Sequence, residues 1–150
     1  MLTSLHRVIY VSRSLLRGDE DQIAVELRRI LAVSRRNNAS EGLTGALLLG
    51  QGSFAQVLEG PMDAVERAFE RIQDDPRHAD LVVLEVCPVA ALAFPDWSMA
   101  FAGTAAADAA PRVRAVLEQV GASPRAGAAE NVVGLLDGLI RRETEWAMAR

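Results

Sequence analysis

The sequence predicts an α+β fold of the ferredoxin-like type: a five-stranded mixed sheet in the order β-α-β-β-α-β-β, two helices on one face, and a C-terminal helical extension. Three observations predict it. Residues Leu5 to Ser12 alternate with the two-residue period of a strand, Leu5, Arg7, Ile9 and Val11 on one face and His6, Val8, Tyr10 and Ser12 on the other. Two later stretches repeat apolar residues at helical spacing instead. Between them, Gly50-Gln51-Gly52-Ser53 joins two strand-length apolar runs as a hairpin. Helices that share one face of such a sheet complete the α+β arrangement.

The elements follow in order. Asp19 or Asp21 caps a first helix whose stripe is Ile23, Leu27, Ile30, Leu31 and Ser34. That helix is expected to end near Arg35-Arg36-Asn37-Asn38, where positive charge suits the carbonyl end of the dipole. Gly42 and Gly45 flank the start of a second strand, Leu43 to Leu49, and Phe54 to Glu59 returns as the third until Gly60-Pro61 stops it. Pro61 sits in the first turn of a second helix that buries Val65, Phe69 and Ile72. Asp74-Asp75-Pro76-Arg77 ends it, because the residue before proline resists helical geometry. Leu81 to Val86 has the length and apolarity of a fourth strand, and Trp97 to Phe101 of a short fifth. After Gly103 the texture turns Ala-rich, with helices expected from Pro111 to about Val120 and from Ala128 to Met148. The reading is therefore one domain over 1–103 and an extension over 104–150 that caps the open sheet face or meets another subunit.

Composition narrows the function. At 150 residues the chain has room for one domain-sized core. A net charge of −4 argues against direct nucleic-acid binding, whose footprint is basic. One cysteine, Cys87, forms no internal disulfide and reads as a small buried hydrophobe. No Cys/His cluster has metal-ligand spacing, and no stretch reads as a signal peptide or membrane span, so a cytoplasmic location is expected.

One constellation carries chemistry. Asn37 and Asn38 stand at a helix end, and Gln56 lies within an apolar strand, where an amide must find partners or cost about 1–3 kcal/mol. Amides donate and accept at once, which suits a planar heterocycle with alternating carbonyls and ring nitrogens. Tyr10 is the sole tyrosine and neighbours Gln56 if the first and third strands pair. Singly, each residue has a plainer use: a sheet tyrosine, a polar strand residue, helix-ending asparagines, and a core Trp97 and Met99. Spacing alone leaves the ligand open.

The chain resembles the BLUF family, sensors of blue light using FAD, from about Leu5 to Phe101. The carrying segments are Ile9-Tyr10-Val11-Ser12, Ser34-Arg35-Arg36-Asn37-Asn38, Gly42-Leu43-Thr44-Gly45, Phe54-Ala55-Gln56-Val57-Leu58-Glu59-Gly60, Asp75-Pro76-Arg77-His78 and Asp96-Trp97-Ser98-Met99. The resemblance implies FAD as cofactor, with FMN or riboflavin as alternatives. It implies photochemistry at Tyr10 and Gln56, with Trp97 and Met99 as the pair that competes to sit beside Gln56. It places Asn37 and Asn38 at the flavin ring, and Ile30 and Ile72 on the ring's two sides. Arg71, Asp75, Arg77 and His78 fall at the flavin's polar edge, ribityl and phosphates, and Ser12 and Ser34 complete the set. One departure is visible: Ala91-Leu92-Ala93 is apolar where many members carry an arginine before the Phe-x-Asp-Trp segment.

The resulting expectation is a blue-light photoreceptor without enzymatic activity, in which electron and proton transfer from Tyr10 through Gln56 rearranges hydrogen bonds to the flavin. The signal is expected to leave by the fifth strand and C-terminal helices, to a homo-oligomer or a separate signalling protein, with no membrane contact. The rival readings are a ferredoxin-like binding or assembly module that has lost photoactivity, and an enzyme. No activated nucleophile, carboxylate pair or phosphate-cradling loop supports the latter.

Overall fold

The structure, a computed structural model, describes residues 4–50, 52–102, 130 and 132–138. Its elements are β1 (Leu5–Ser14), α1 (Glu20–Glu41), β2 (Thr44–Gly50), β3 (Ser53–Pro61), α2 (Met62–Gln73), β4 (His78–Pro88) and β5 (Ala100–Ala102), followed by a helical stretch over residues 132–138. The strands form one sheet in the order β4-β1-β3-β2-β5. β1 lies antiparallel between β3 and β4, β2 pairs antiparallel with β3, and β5 joins β2 in parallel. This is the five-stranded mixed sheet of the predicted α+β fold.

The alternation read in β1 sorts two cores. Val8 and Tyr10 join Leu27 and Leu31 of α1 and Ala64, Val65 and Ala68 of α2 on one face. Ile9 joins Ala46, Leu48, Ala55 and Val57 on the other, where Val132, Leu135 and Leu136 of the C-terminal helical stretch cover the sheet. The expected helices over 111–120 and beyond residue 138 lie outside the described residues.

Several boundaries differ from expectation. α1 continues past Asn38 to Glu41 and has no basic residue in its last turn. It stops where Gly42 takes a left-handed φ of 73°, and the Leu43 N–H returns to the Asn38 carbonyl oxygen at 2.9 Å. The asparagines do not terminate the helix, because Asn38 turns its side chain inward instead. In α2, Val65 is buried as expected, Phe69 and Ile72 are only partly buried, and the small Ala64 and Ala68 join Val65 as the buried residues. β4 is an edge strand, so Val82, Val83 and Val86 stay 41–53% exposed. Cys87 on that edge is half-buried rather than a core hydrophobe. β5 begins three residues later than Trp97, after a looped segment.

Candidate functional site

A cavity of about 250 Å³ opens between α1 and α2 above the sheet. Its floor comes from β1, β2 and β3, where register sets Tyr10 directly opposite Gln56 and Gln56 opposite Leu47. Side chains on one face of neighbouring strands stand close enough to interact. The Tyr10 hydroxyl donates to Gln56 Oε1. Gln56 Nε2 in turn donates to Met99 Sδ at 3.7 Å. Tyr10, Gln56 and Met99 are all buried. Burial pushes the Tyr10 phenol far above its ordinary range, and the Asp75 charge adds to the shift, so the hydroxyl keeps its proton.

The walls are helical. Ile30, Val33 and Ser34 line the cavity from α1, and Ala68, Arg71 and Ile72 from α2. Val33 is 43% exposed there, an apolar wall that a bound ring would cover. Asn37 and Asn38 line the inner end. Asn38 Nδ2 donates to the Ser98 carbonyl oxygen at 2.7 Å and Arg35 Nε to that of Met99 at 2.9 Å, so α1 holds the segment that delivers Met99.

The mouth is charged and internally paired. Arg77 contacts Asp75 at 2.6 Å and Glu26 of α1 at 3.0 Å, while Arg71 reaches Glu41 at 3.1 Å. The Arg77 guanidinium holds the Asp75 carboxyl below the usual carboxylate range. His78 lies against Tyr10 and Phe54 with ring centroids 6.2 and 6.4 Å away. Its Nε2 faces the Ile72 carbonyl oxygen at 2.7 Å, an acceptor only, so that nitrogen carries the proton. Nδ1 is then free to accept from the Ser12 hydroxyl, also at 2.7 Å.

The structure thus gathers Tyr10, Ile30, Ser34, Asn37, Asn38, Gln56, Arg71, Ile72, Asp75, Arg77 and His78 around one cavity. Ser12 is not among its lining residues; it is buried behind His78, which it braces. Of the pair expected to compete for Gln56, Trp97 is the one that stays outside. It is 40% exposed, while Met99 takes the position beside Gln56. The reason lies in the loop: β5 starts only at Ala100, and the Trp97 carbonyl oxygen is held by the Gly45 N–H at 3.1 Å. Val33, Leu47, Phe54, Leu58 and Ala68 also line the cavity and were not anticipated. Phe54 and Leu58 share the strand parity of Gln56, Val33 lies one turn from Ile30, and Ala68 one turn from Ile72. Those periodicities point to these four, while Leu47 follows only from its register opposite Gln56.

The residues fit a flat heterocycle with polar edges. Apolar helical walls face each other, amides line one end, and the volume falls just below the range for small-molecule sites, about 300–1,000 Å³. Among the described residues there is no group of three or more His, Cys, Asp or Glu side chains placed to hold a metal, and no helix long and apolar enough to cross a membrane.

A family model described as sensors of blue-light using FAD matches residues 5–100. The chain is 32% identical over 122 residues, 81% of its length, to photoactivated adenylate cyclase subunit beta of Euglena gracilis, of which the match covers 14%. It is 36% identical over 84 residues, 56% of its length, to the blue light- and temperature-regulated antirepressor BluF of Escherichia coli (strain K12), covering 19% of that protein. The chain therefore spans well under a quarter of either curated relative. Among solved structures, the dark state of BlrB, a BLUF protein, matches with a TM-score of 0.70 at 28% identity, covering 95% of this chain and 99% of that one. Photo-activated BlsA matches with a TM-score of 0.72 at 26% identity, covering 91% and 94%.

Proposed function

Because the chain belongs to the BLUF family, sensors of blue light that use FAD, we propose that it signals through a light-driven change in the Tyr10–Gln56–Met99 hydrogen-bond chain at the floor of its cavity. The single observation that carries this reading is that chain: a buried phenol donating to an amide whose other end meets a thioether. A bound flavin supplies absorption of blue light and an excited state that takes an electron from a nearby donor. All the residues concerned line the cavity: in this reading Ile30 and Ile72 would hold its ring from either side, Asn37, Asn38 and Gln56 would meet its polar edge, and Arg71, Asp75, Arg77 and His78 would border its chain toward the mouth.

Tyr10 is the donor in this reading. Its electron leaves while its proton moves along the existing bond to Gln56 Oε1, and Gln56 would release an Nε2 proton toward the ring that took the electron, so neither the phenol nor the amide is left charged in a buried site. Both return when the charges recombine, and nothing is consumed. What persists is the amide of Gln56, rotated or tautomerised, because only an amide exchanges donor and acceptor ends within one volume. Its Nε2 no longer donates to Met99, and the segment joining the cavity to β5 loses a partner. A change of about 1 kcal/mol in one hydrogen bond shifts a two-state equilibrium several-fold.

The domain senses and does not itself catalyse. Its output passes to another copy of the chain or to a separate effector. The relatives support that division, one being named as a cyclase subunit and the other as an antirepressor, each far longer than the matched segment.

The test is spectroscopic. Protein loaded with FAD is expected to show a small, reversible red shift of the flavin band under blue light. Gln56→Leu is expected to keep the flavin and lose the shift. A full shift in that variant, or none in the parent protein, overturns the reading.

A further inference from the structure

We propose that Glu59, a buried carboxylate on the far side of the sheet from the cavity, is the positioning residue that keeps Met99 against Gln56. The inference rests on the light-sensing reading and names a residue outside its cavity. Gln56 and Glu59 lie on the same strand, β3, with opposite parity: Gln56 faces the helices and Glu59 the C-terminal helical stretch. Glu59 is fully buried, and it pairs with Arg7 of β1 at 2.8 Å.

Its remaining acceptor capacity goes to one place. Oε1 accepts from the Ala93 N–H at 2.8 Å and the Phe94 N–H at 3.1 Å, and Oε2 from Ala93 at 3.1 Å. Those two residues lie midway along the looped segment 89–99 that ends at Met99. A turn from the Trp97 N–H to the Phe94 carbonyl oxygen, at 3.3 Å, tightens the segment between them. Asn38 and Arg35 hold the other end, at Ser98 and Met99, from the cavity side. The segment is therefore clamped from both faces of the sheet, and Met99 lies where the two clamps let it reach. Because β3 carries both Gln56 and Glu59, the distance from the amide to the clamp is set by a rigid element.

The chemistry of the contact gives this placement its consequence. A thioether sulfur accepts and does not donate. Met99 at Gln56 therefore selects the amide orientation with Nε2 toward sulfur and Oε1 toward Tyr10. If Met99 withdraws, nothing on that side distinguishes the two ends of the amide. A purely structural role would not need a charge, since an apolar pair of the same volume often serves a core as well as a buried ion pair. The carboxylate is needed because it alone accepts from two successive backbone N–H groups and a guanidinium.

Glu59→Gln tests this. The amide keeps the volume but offers one acceptor and points a donor at N–H groups. We expect flavin binding to persist, the dark-recovery rate to change by about fivefold or more, the size of effect that follows loss of one buried hydrogen bond, and the Met99 methyl carbon resonance to move in the dark protein. Met99→Leu identifies that resonance and supplies the second test. If Glu59 acts through Met99, adding Glu59→Gln to Met99→Leu leaves recovery unchanged, whereas a merely structural effect multiplies the two changes. If Glu59→Gln does not fold, Glu59→Asp keeps the charge, withdraws it by one methylene, and is expected to move both readouts in the same direction. Unchanged recovery and an unmoved Met99 resonance overturn the proposal, as does full multiplication in the double variant. A parent protein without a light response defeats the light-sensing reading instead, and the methyl resonance then decides the placement of Met99 alone.

Discussion

At the residue scale, the site depends on a phenol that stays neutral and an amide that has one resting orientation. Tyr10 is the chain's only tyrosine and there is no lysine, so few side chains other than Tyr10 and Cys87 titrate between about pH 8.5 and 11. Burial, reinforced by Asp75, raises the Tyr10 pKa in the folded state. The folded protein therefore keeps the proton that an unfolded chain releases above the ordinary phenol value of about 10. The stability this group contributes is complete below that value and is lost as pH rises beyond it. In a Cys87→Ser background, denaturant unfolding measured against pH is expected to show no Tyr10-dependent loss up to about pH 9.5 and a decline above about pH 10. Tyr10→Phe is expected to remove that decline, to abolish the light response, and to cost about 1–3 kcal/mol at neutral pH, since Gln56 Oε1 loses its buried donor. A decline that persists in Tyr10→Phe excludes the phenol as its source. Ser12 makes the complementary case. Because it braces His78 from behind, Ser12→Ala is expected to lower stability by about 1 kcal/mol while flavin affinity, read by fluorescence quenching, stays within a few-fold.

At the element scale, periodicity located every strand and both long helices, and tertiary contacts decided where they end. Asn37-Asn38 resembles a helix terminator because asparagine often is one. Here Asn38 spends its amide on Ser98 across the cavity, and the helix runs on until Gly42. No local pattern reports a contact between residues so far apart. The start of α1 was legible, because a cap is a local interaction. Asp19 accepts from the Gln22 N–H at 2.8 Å, and Gln22 Oε1 accepts from the Asp19 N–H at 2.9 Å. Asp19→Ala is expected to lower stability by about 1 kcal/mol without altering the flavin spectrum. Gly45 illustrates a motif residue with a structural cause. A Cβ there would collide with the Val57 carbonyl oxygen on the neighbouring strand, and backbone cannot move aside as a side chain would. Gly45→Ala is expected to cost about 3 kcal/mol by thermal or denaturant unfolding. A cost below about 1 kcal/mol would mean that β2 and β3 separate more easily than their register implies.

At the scale of the whole molecule, the sheet is a partition with the cavity on one side and a C-terminal helical stretch on the other. The sequence predicts a helix from Ala128 to Met148 that caps the open sheet face or meets another subunit, without deciding between the two; in the structure Val132, Leu135 and Leu136 are buried. The structure sets them against Ile9, Leu48, Val57, Phe94 and Ala100. Phe94 and Ala100 flank the segment that carries Met99, so the packing of residues 132–138 and the Gln56–Met99 contact share one stretch of backbone. In the proposed reading, this shared backbone is the route by which a change at the cavity would reach the opposite face without a path through solvent. In the proposed light state Gln56 Nε2 leaves Met99, the segment loses one of its holds, and docking of residues 132–138 weakens by about 1 kcal/mol, roughly a fivefold increase in the open population. Amide hydrogen exchange of residues 132–138 is accordingly expected to run about fivefold faster under steady blue light than in darkness, with β1 and β3 unchanged. Leu136→Ala, which removes a fully buried side chain at an expected cost of about 2–5 kcal/mol, should raise the dark exchange rate further and leave the dark flavin spectrum as it was. Equal exchange in light and darkness, in a protein whose flavin band still shifts, would mean that the signal leaves the cavity by another route.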